Sequence, residues 1–86
     1  MILDIKNEKG LHARASAKFV EICERFDATA TVSKGGETAN GDSIMGLLML
    51  AASKGTQIDV KTEGPEADKL MTALYALVND FFGEGR

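Results

Sequence analysis

The stretch ATATVSKGGETAN, residues 28–40, predicts the centre of the fold. From 28 to 34, small apolar residues alternate with threonine and serine, which is the two-residue period of a strand with one buried face. Gly35 and Gly36 follow as a turn signal, and residues 37–40 can return alongside the first strand. The stretch therefore predicts a β-hairpin of two short strands.

Three other segments predict helices. Residues 13–26 carry an apolar stripe, and residues 44–53 form a second, largely apolar helix that a glycine at 55 closes. A third helix begins after the Gly64-Pro65 pair. The spacing also predicts which side chains of the first and third helices face the core. These are Ala15, Phe19, Ile22 and Phe26 in the first helix, and Leu70, Leu74, Leu77 and Phe81 in the third.

Two more alternating segments, residues 1–6 and 57–62, predict strands. The order is therefore strand, helix, strand, strand, helix, strand, helix. Four short strands with three one-sided helices predict an α+β open-faced sandwich with the helices on one face of the sheet. A chain of 86 residues has room for one such domain, residues 1–86, and its tail GEGR, residues 83–86, is expected to be frayed.

Composition narrows the classes of function. The net charge is −3, with no basic stripe or aromatic platform, which disfavours nucleic-acid binding. No apolar run approaches ~20 residues, and no export signal opens the chain, so we expect no membrane insertion. The lone Cys23 fits a reducing cytoplasm and a role as a small buried hydrophobe. One histidine and no nucleotide motif predict that the protein uses neither a metal nor a cofactor.

The segment KGLHARAS, residues 9–16, contains the only histidine, His12. Gly10 permits a sharp turn and Ala13 begins the helical stripe, so His12 is placed at a helix N-terminus beside N–H groups without intrahelical partners. These groups, the helix dipole and the forked guanidinium of Arg14 favour an anion. Since a neutral imidazole can be a nucleophile, the pattern predicts a phosphoryl acceptor. The alternative is a solvated histidine beside a solvated arginine.

The second predicted helix has more apolar residues than a small domain can bury. We expect some of Ile44, Met45 and Leu48 to be exposed and to form a docking patch for partners. The pattern leaves open the alternative that all three belong to the core. Ser43 is the predicted N-cap of this helix. A phosphate on Ser43 would place roughly two negative charges beside the patch, which makes a regulatory switch plausible.

The segment GLHARASAKFV resembles the active-site segment of HPr, the histidine-containing phosphocarrier family of the phosphoenolpyruvate-dependent phosphotransferase system. The family's pattern is close to G-L-H-A-R-P-A, and this chain matches it from Gly10 to Arg14. Ala15 stands where the family often has proline. Because proline pre-sets φ, alanine at this position should loosen the first helical turn slightly. The segment SIMGLLML, which begins at Ser43, is similar to the family's regulatory-serine segment. The similarity runs from Ile2 to about Phe82.

The resemblance implies a four-stranded antiparallel sheet covered by three helices, and a cytoplasmic phosphocarrier. His12 would be phosphorylated on Nδ1 by enzyme I and would pass the group to an enzyme IIA, while Arg14 steadies the phosphate. Ser43 would be the site of an HPr kinase/phosphorylase. Such a protein is a stoichiometric carrier rather than an enzyme, and we expect it to be a monomer without a cofactor.

Three rival interpretations remain open. The nitrogen-related branch of the family, whose carrier feeds regulatory enzymes rather than sugar permeases, is not separated by the sequence. A non-catalytic regulatory module could dock through Ile44, Met45 and Leu48, with Ser43 as its only switch. Such a module would have no use for His12 beside Arg14. A small-ligand-binding domain would need a closed apolar pocket, which this chain length disfavours.

Overall fold

Four strands form one antiparallel sheet in the computed structural model, which describes residues 1–86. The spatial order of the strands is β1-β4-β2-β3, so the two central strands are distant in sequence, and Val32 of one lies opposite Val60 of the other. The predicted hairpin is present, with Lys34 opposite Glu37 beside the turn. The strands are β1 (Ile2–Asp4), β2 (Thr29–Lys34), β3 (Glu37–Asn40) and β4 (Gln57–Glu63).

Three helices cover one face of this sheet: α1 (Ala13–Glu24), α2 (Ile44–Met49) and α3 (Ala67–Asn79). A short 3-10 turn, Phe81–Gly83, follows α3. The predicted element order and open-faced sandwich are confirmed. None of the helices has the length and apolar composition that a membrane span requires. Alternate strand positions point into the core beneath the helices. They are Leu3, Ala30, Val32, Ala39, Ile58 and Val60.

α1 packs largely as its apolar stripe predicts. Ala15 and Phe19 are completely buried, and Ile22 and Phe26 pack against the edge of the core. Cys23 is also buried, and this burial, reinforced by nearby negative charges, raises the pKa of its thiol to about 11. The interpretation of Cys23 as a small buried hydrophobe is therefore confirmed.

α2 ends at Met49, although the sequence predicts a helix to residue 53. The N–H groups that follow bond to carbonyls three residues back, and Ala51 adopts a left-handed φ of +51°. The carbonyl of Ala52 then accepts a hydrogen bond of 2.8 Å from the N–H of Leu11. The prediction was wrong at this end because a long-range contact draws the chain out of the helix toward the loop before α1.

The inward face of the C-terminal region also differs from the prediction. Two consecutive aromatic residues, Phe81 and Phe82, adopt left-handed φ values of 55° and 52°. Each such residue costs roughly 1–2 kcal/mol, and the complete burial of the Phe82 side chain offsets much of this cost. The irregular turn brings Phe82 rather than Phe81 into the core. The buried residues of this face are Leu70, Leu74, Val78 and Phe82, whereas Leu77 and Phe81 are only half-buried.

Candidate functional site

His12 is the N-cap of α1 and has an extended backbone, with φ −77° and ψ −175°. The first hydrogen bond of the helix runs from the N–H of Ser16 to the carbonyl of His12, at 2.8 Å. The N–H groups of residues 13–15 therefore have no intrahelical acceptor. No acidic side chain lies in this first turn. Because the positive end of the helix dipole points the same way, this end of α1 is suited to hold an anion.

The turn before His12 requires glycine at position 10. Gly10 has a φ of +64°, and a Cβ built there would lie 2.4 Å from the carbonyl oxygen of Ala52. That carbonyl is the acceptor for the N–H of Leu11, whose side chain is buried. The sharp turn expected at Gly10 is therefore present. It presses the loop against the segment after α2 and brings the chain into α1 at Ala13.

Arg14 is exposed in the first turn of α1, and no hydrogen bond or ion pair engages its guanidinium. It lines a polar depression beside the N-terminus of α1 that contains no hydrophobic side chain. Four of the lining residues are basic and two are acidic, although the whole chain has a net charge of −3. The surroundings of Arg14 therefore favour anions. The lining residues are Glu8, Lys9, Arg14, Lys18, Gly83, Glu84 and Arg86.

Glu84 contacts the imidazole of His12, a relationship that the sequence analysis missed. Oε2 of Glu84 lies against Nε2 of His12, and only 11% of the Glu84 side chain is exposed. Burial by itself raises the pKa of this carboxyl. Hydrogen bonds from Asn7 and His12 and the nearby positive charge together lower it by more than burial raises it, so its pKa lies below the usual value. The prediction of a frayed tail was therefore wrong at Glu84.

Asn7 is the second residue that the sequence analysis missed. Its side chain is completely buried, and Nδ2 donates to the carbonyl of Gly10 at 2.8 Å and to Oε1 of Glu84 at 2.9 Å. Oδ1 of Asn7 has no hydrogen-bond partner. An asparagine in a turn is a common local signal, but nothing in the sequence indicates that its amide also reaches the C-terminal segment.

Ser43 caps α2, as its position in the sequence predicts. Its Oγ accepts a hydrogen bond of 3.0 Å from the N–H of Gly46, and the residue is half-buried. The expected exposure of apolar side chains is also found: Ile44 is 40% exposed and Met45 68% exposed. The alternative in which all three belong to the core is therefore wrong for Ile44 and Met45. Leu48 is half-buried.

Leu48 connects the apolar residues of α2 to the histidine. It lines a shallow groove together with His12, Ala51 and the segment after α2. Met49 is 73% exposed on the same short helix, a position that the sequence analysis did not include in the docking patch. We name Ile44, Met45, Leu48 and Met49 the α2 apolar surface. Leu48 therefore places one edge of this surface beside His12.

The site on this open-faced sandwich combines a histidine at a helix N-terminus, basic side chains around it and an apolar surface beside it. The family model described as the PTS HPr component phosphorylation site matches residues 2–80. The chain belongs to the HPr family of phosphocarrier proteins of the phosphotransferase system.

Individual relatives agree with this assignment. The phosphocarrier protein HPr of Neisseria meningitidis serogroup A is 48% identical over 83 residues, which cover 96% of this chain and 93% of the relative. The crystal structure of HPr from Thermoanaerobacter tengcongensis superposes with a TM-score of 0.93 at 36% identity, covering 98% of this chain and 94% of that chain. The phosphocarrier protein NPr of Escherichia coli is 37% identical, covering 95% and 92% of the two chains.

Proposed function

We propose that this chain is a cytoplasmic phosphocarrier domain that accepts a phosphoryl group on Nδ1 of His12 from phosphorylated enzyme I. It then passes the group to an enzyme IIA, in sugar uptake and its regulation. The observation that carries the proposal is the position of the His12 ring. It is partly exposed, at a helix N-terminus whose first N–H groups have no intrahelical partners, in a chain of the HPr family.

The chemistry follows from that position. The lone pair of Nδ1 forms the bond to phosphorus. The bond between phosphorus and the donor breaks, and the donor keeps the electron pair of that bond. The new phosphoryl group carries negative charge, which the end of α1 and the guanidinium of Arg14 stabilise. Charge and position are sufficient for such a transfer, so the carrier acts stoichiometrically and uses no metal or organic cofactor.

The α2 apolar surface supports a docking role for Ile44, Met45 and Leu48. Methionine side chains are flexible and repack against different partners, which suits a carrier that must contact both a donor and an acceptor. Because Leu48 shares a groove with His12, a partner seated on α2 would also reach the imidazole. This arrangement supports enzyme I and enzyme IIA as successive occupants of one surface.

The direct test is phosphorylation of the purified chain by enzyme I with phosphoenolpyruvate. We expect one acid-labile phosphate per molecule, absent from His12→Ala, since the chain has one histidine. Label that persists in His12→Ala would contradict the proposal, because it would place the phosphate on another residue.

A matched pair of arginines tests the role of Arg14. Arg25 is also exposed, but it lies at the C-terminal end of α1. We expect Arg14→Gln to slow phosphorylation by about tenfold, as the loss of a charge-assisted hydrogen bond would do. Arg25→Gln should retain the wild-type rate. Equal rates for the two variants would remove Arg14 from the site.

Similarity to both HPr and NPr relatives leaves two branches for the downstream partner. The sugar branch and the nitrogen-related branch differ in which enzyme IIA takes the phosphate. Purified phosphorylated chain should therefore be mixed with one enzyme IIA of each branch. Faster loss of label to the sugar-specific enzyme IIA supports the proposal, and faster loss to the nitrogen-related one supports the alternative.

We further propose Ser43 as a regulatory phosphorylation site for an HPr kinase/phosphorylase. Its hydroxyl is next to Ile44 and Met45, so a phosphate there would place negative charge against the α2 apolar surface. Incubation with an active kinase and ATP should give acid-stable phosphate that Ser43→Ala lacks and Ser33→Ala retains. A wild-type chain that takes up no phosphate under these conditions would leave Ser43 as a helix cap only.

A further inference from the structure

We propose that Glu84 is a positioning residue for phosphoryl transfer: its carboxylate keeps the His12 proton on Nε2 and leaves Nδ1 free to attack. Asn7 holds Glu84 in place for this purpose. The inference rests on the proposed function, because it assigns how the imidazole of the carrier is prepared for its reaction.

The contacts around Glu84 form a chain from the backbone to the imidazole. The carbonyl of Gly10 accepts from Nδ2 of Asn7, and the same Nδ2 donates to Oε1 of Glu84. Oε2, the other carboxylate oxygen, contacts Nε2 of His12. Asn7 is completely buried, so its amide has little freedom to turn. Each oxygen of Glu84 therefore contacts one nitrogen, Oε1 that of Asn7 and Oε2 that of His12.

The C-terminal segment that delivers Glu84 is itself anchored. Phe82 is completely buried, and its carbonyl accepts a hydrogen bond of 2.6 Å from Nζ of Lys18 in α1. The N–H of Glu84 bonds to the carbonyl of Phe81 at 2.9 Å. These contacts hold Glu84 beside α1, so its meeting with His12 is a built feature of the fold.

The charge state of Glu84 decides the tautomer of His12. An ionised carboxylate only accepts hydrogen bonds, and the pKa of Glu84 lies below its usual value, so it is ionised at neutral pH. A nitrogen that contacts it must carry the proton. In neutral His12 that nitrogen is Nε2, and Nδ1 then holds the lone pair.

The transfer step balances with this arrangement. The Nδ1 lone pair forms the nitrogen–phosphorus bond, the donor's bond to phosphorus breaks, and its electron pair leaves with the donor. The proton remains on Nε2 throughout. The ring gains positive charge as Nδ1 bonds to phosphorus, and the adjacent carboxylate of Glu84 compensates that charge.

The substitution Glu84→Gln breaks the arrangement while keeping the shape. An amide has one oxygen and one NH₂ group, whereas both Nδ2 of Asn7 and Nε2–H of His12 need an acceptor. If the oxygen faces Asn7, the NH₂ group faces His12 and favours an unprotonated Nε2. We therefore expect the Nδ1–H tautomer to become populated. Glu37→Gln is the matched control, because Glu37 is an exposed carboxylate in β3.

The experiment combines nitrogen-15 NMR of the imidazole with the rate of phosphorylation by enzyme I. In the wild type and in Glu37→Gln, the proton of the neutral ring should be on Nε2. In Glu84→Gln the Nδ1 signal should move toward the protonated position, and phosphorylation should be about tenfold slower. Measuring the tautomer separates positioning from a general loss of structure.

Three results would overturn the proposal. One is a wild-type ring protonated on Nδ1, and another is a Glu84→Gln variant that matches Glu37→Gln in tautomer and rate. The third is faster phosphorylation of Glu84→Gln, which would mean that the carboxylate merely covers the ring. If the wild type shows the Nε2–H tautomer but enzyme I never phosphorylates it, the proposed function fails and the positioning contact stands.

Discussion

Nδ2 of Asn7 donates a hydrogen bond of 2.9 Å to Oε1 of Glu84, joining two residues that are 77 positions apart. One is completely buried in the turn before α1, and the other follows the 3-10 turn after α3. The bond closes the chain on itself beside His12. It also makes the stability of the molecule sensitive to charge at position 7.

Asn7→Asp should therefore destabilise the protein strongly at neutral pH. The substitution removes both hydrogen bonds of Nδ2 and places a second carboxylate against Glu84, at an expected cost of about 3 kcal/mol. Burial and the like charge raise the pKa of the introduced carboxyl. Its protonation as the pH falls from 7 toward 4 should relieve the repulsion, so the deficit should shrink on acidification.

Urea unfolding of the wild type and the variant at several pH values measures this deficit. Asn40→Asp is the control, because Asn40 is exposed at the end of β3 and its side chain makes no hydrogen bond. That control should stay within about 0.5 kcal/mol of the wild type. A deficit of Asn7→Asp that grows with acidification would contradict the role assigned to Asn7.

Gly10→Ala tests the turn that precedes the histidine. Gly55 gives a matched comparison, since it also has positive φ, +89°, but nothing lies within 4 Å of a Cβ built there. Gly55→Ala should cost about 1 kcal/mol of unfolding free energy from backbone strain alone. Gly10→Ala adds a clash with the carbonyl of Ala52 and should cost at least about 1 kcal/mol more, measured by urea unfolding. Equal losses of unfolding free energy in the two variants would show that the loop around Gly10 moves away from Ala52 at no measurable cost.

Met45→Lys tests the α2 apolar surface. Met45 is 68% exposed, so the substitution should change the unfolding free energy by less than about 0.5 kcal/mol. Binding to enzyme I should nevertheless weaken about tenfold, because a charge replaces an apolar contact in the interface. The measurement is the dependence of the phosphorylation rate on carrier concentration. Tyr75→Lys on α3, where the side chain is 48% exposed, should leave that dependence unchanged. Indistinguishable curves for both variants and the wild type would exclude this docking surface.

The raised pKa of the buried Cys23 thiol predicts that the free energy of unfolding falls at alkaline pH. Burial, together with the charges of Asp42 and Glu24, raises the pKa of its thiol from 9.0 to about 11. Above pH 9 the unfolded chain releases this proton while the folded chain keeps it, so the free energy of unfolding should fall between pH 9 and 11. Cys23→Ala should show a shallower decline over that range in urea titrations. Parallel declines would mean that the thiol ionises equally in both states.

The sequence alone determined the elements, the entry into α1 and the cap of α2. Strand and helix periods of 2 and 3.6 residues are local properties. The hairpin and the order of elements therefore follow from residues that are close together along the chain. The positions of His12 and Ser43 before their helices are equally local. Short-range chemistry was enough for these features, because helix ends leave unpaired N–H groups wherever they occur.

Only the tertiary structure decided which distant residues meet. The sheet order β1-β4-β2-β3, the early end of α2 and the inward turn of Phe82 each depend on partners far along the chain. The meeting of Glu84 with Asn7 and His12 is of the same kind. Local periodicity records which side of an element is apolar but not what covers it. Only long-range packing could therefore place the side-chain carboxylate of Glu84 against the imidazole of His12.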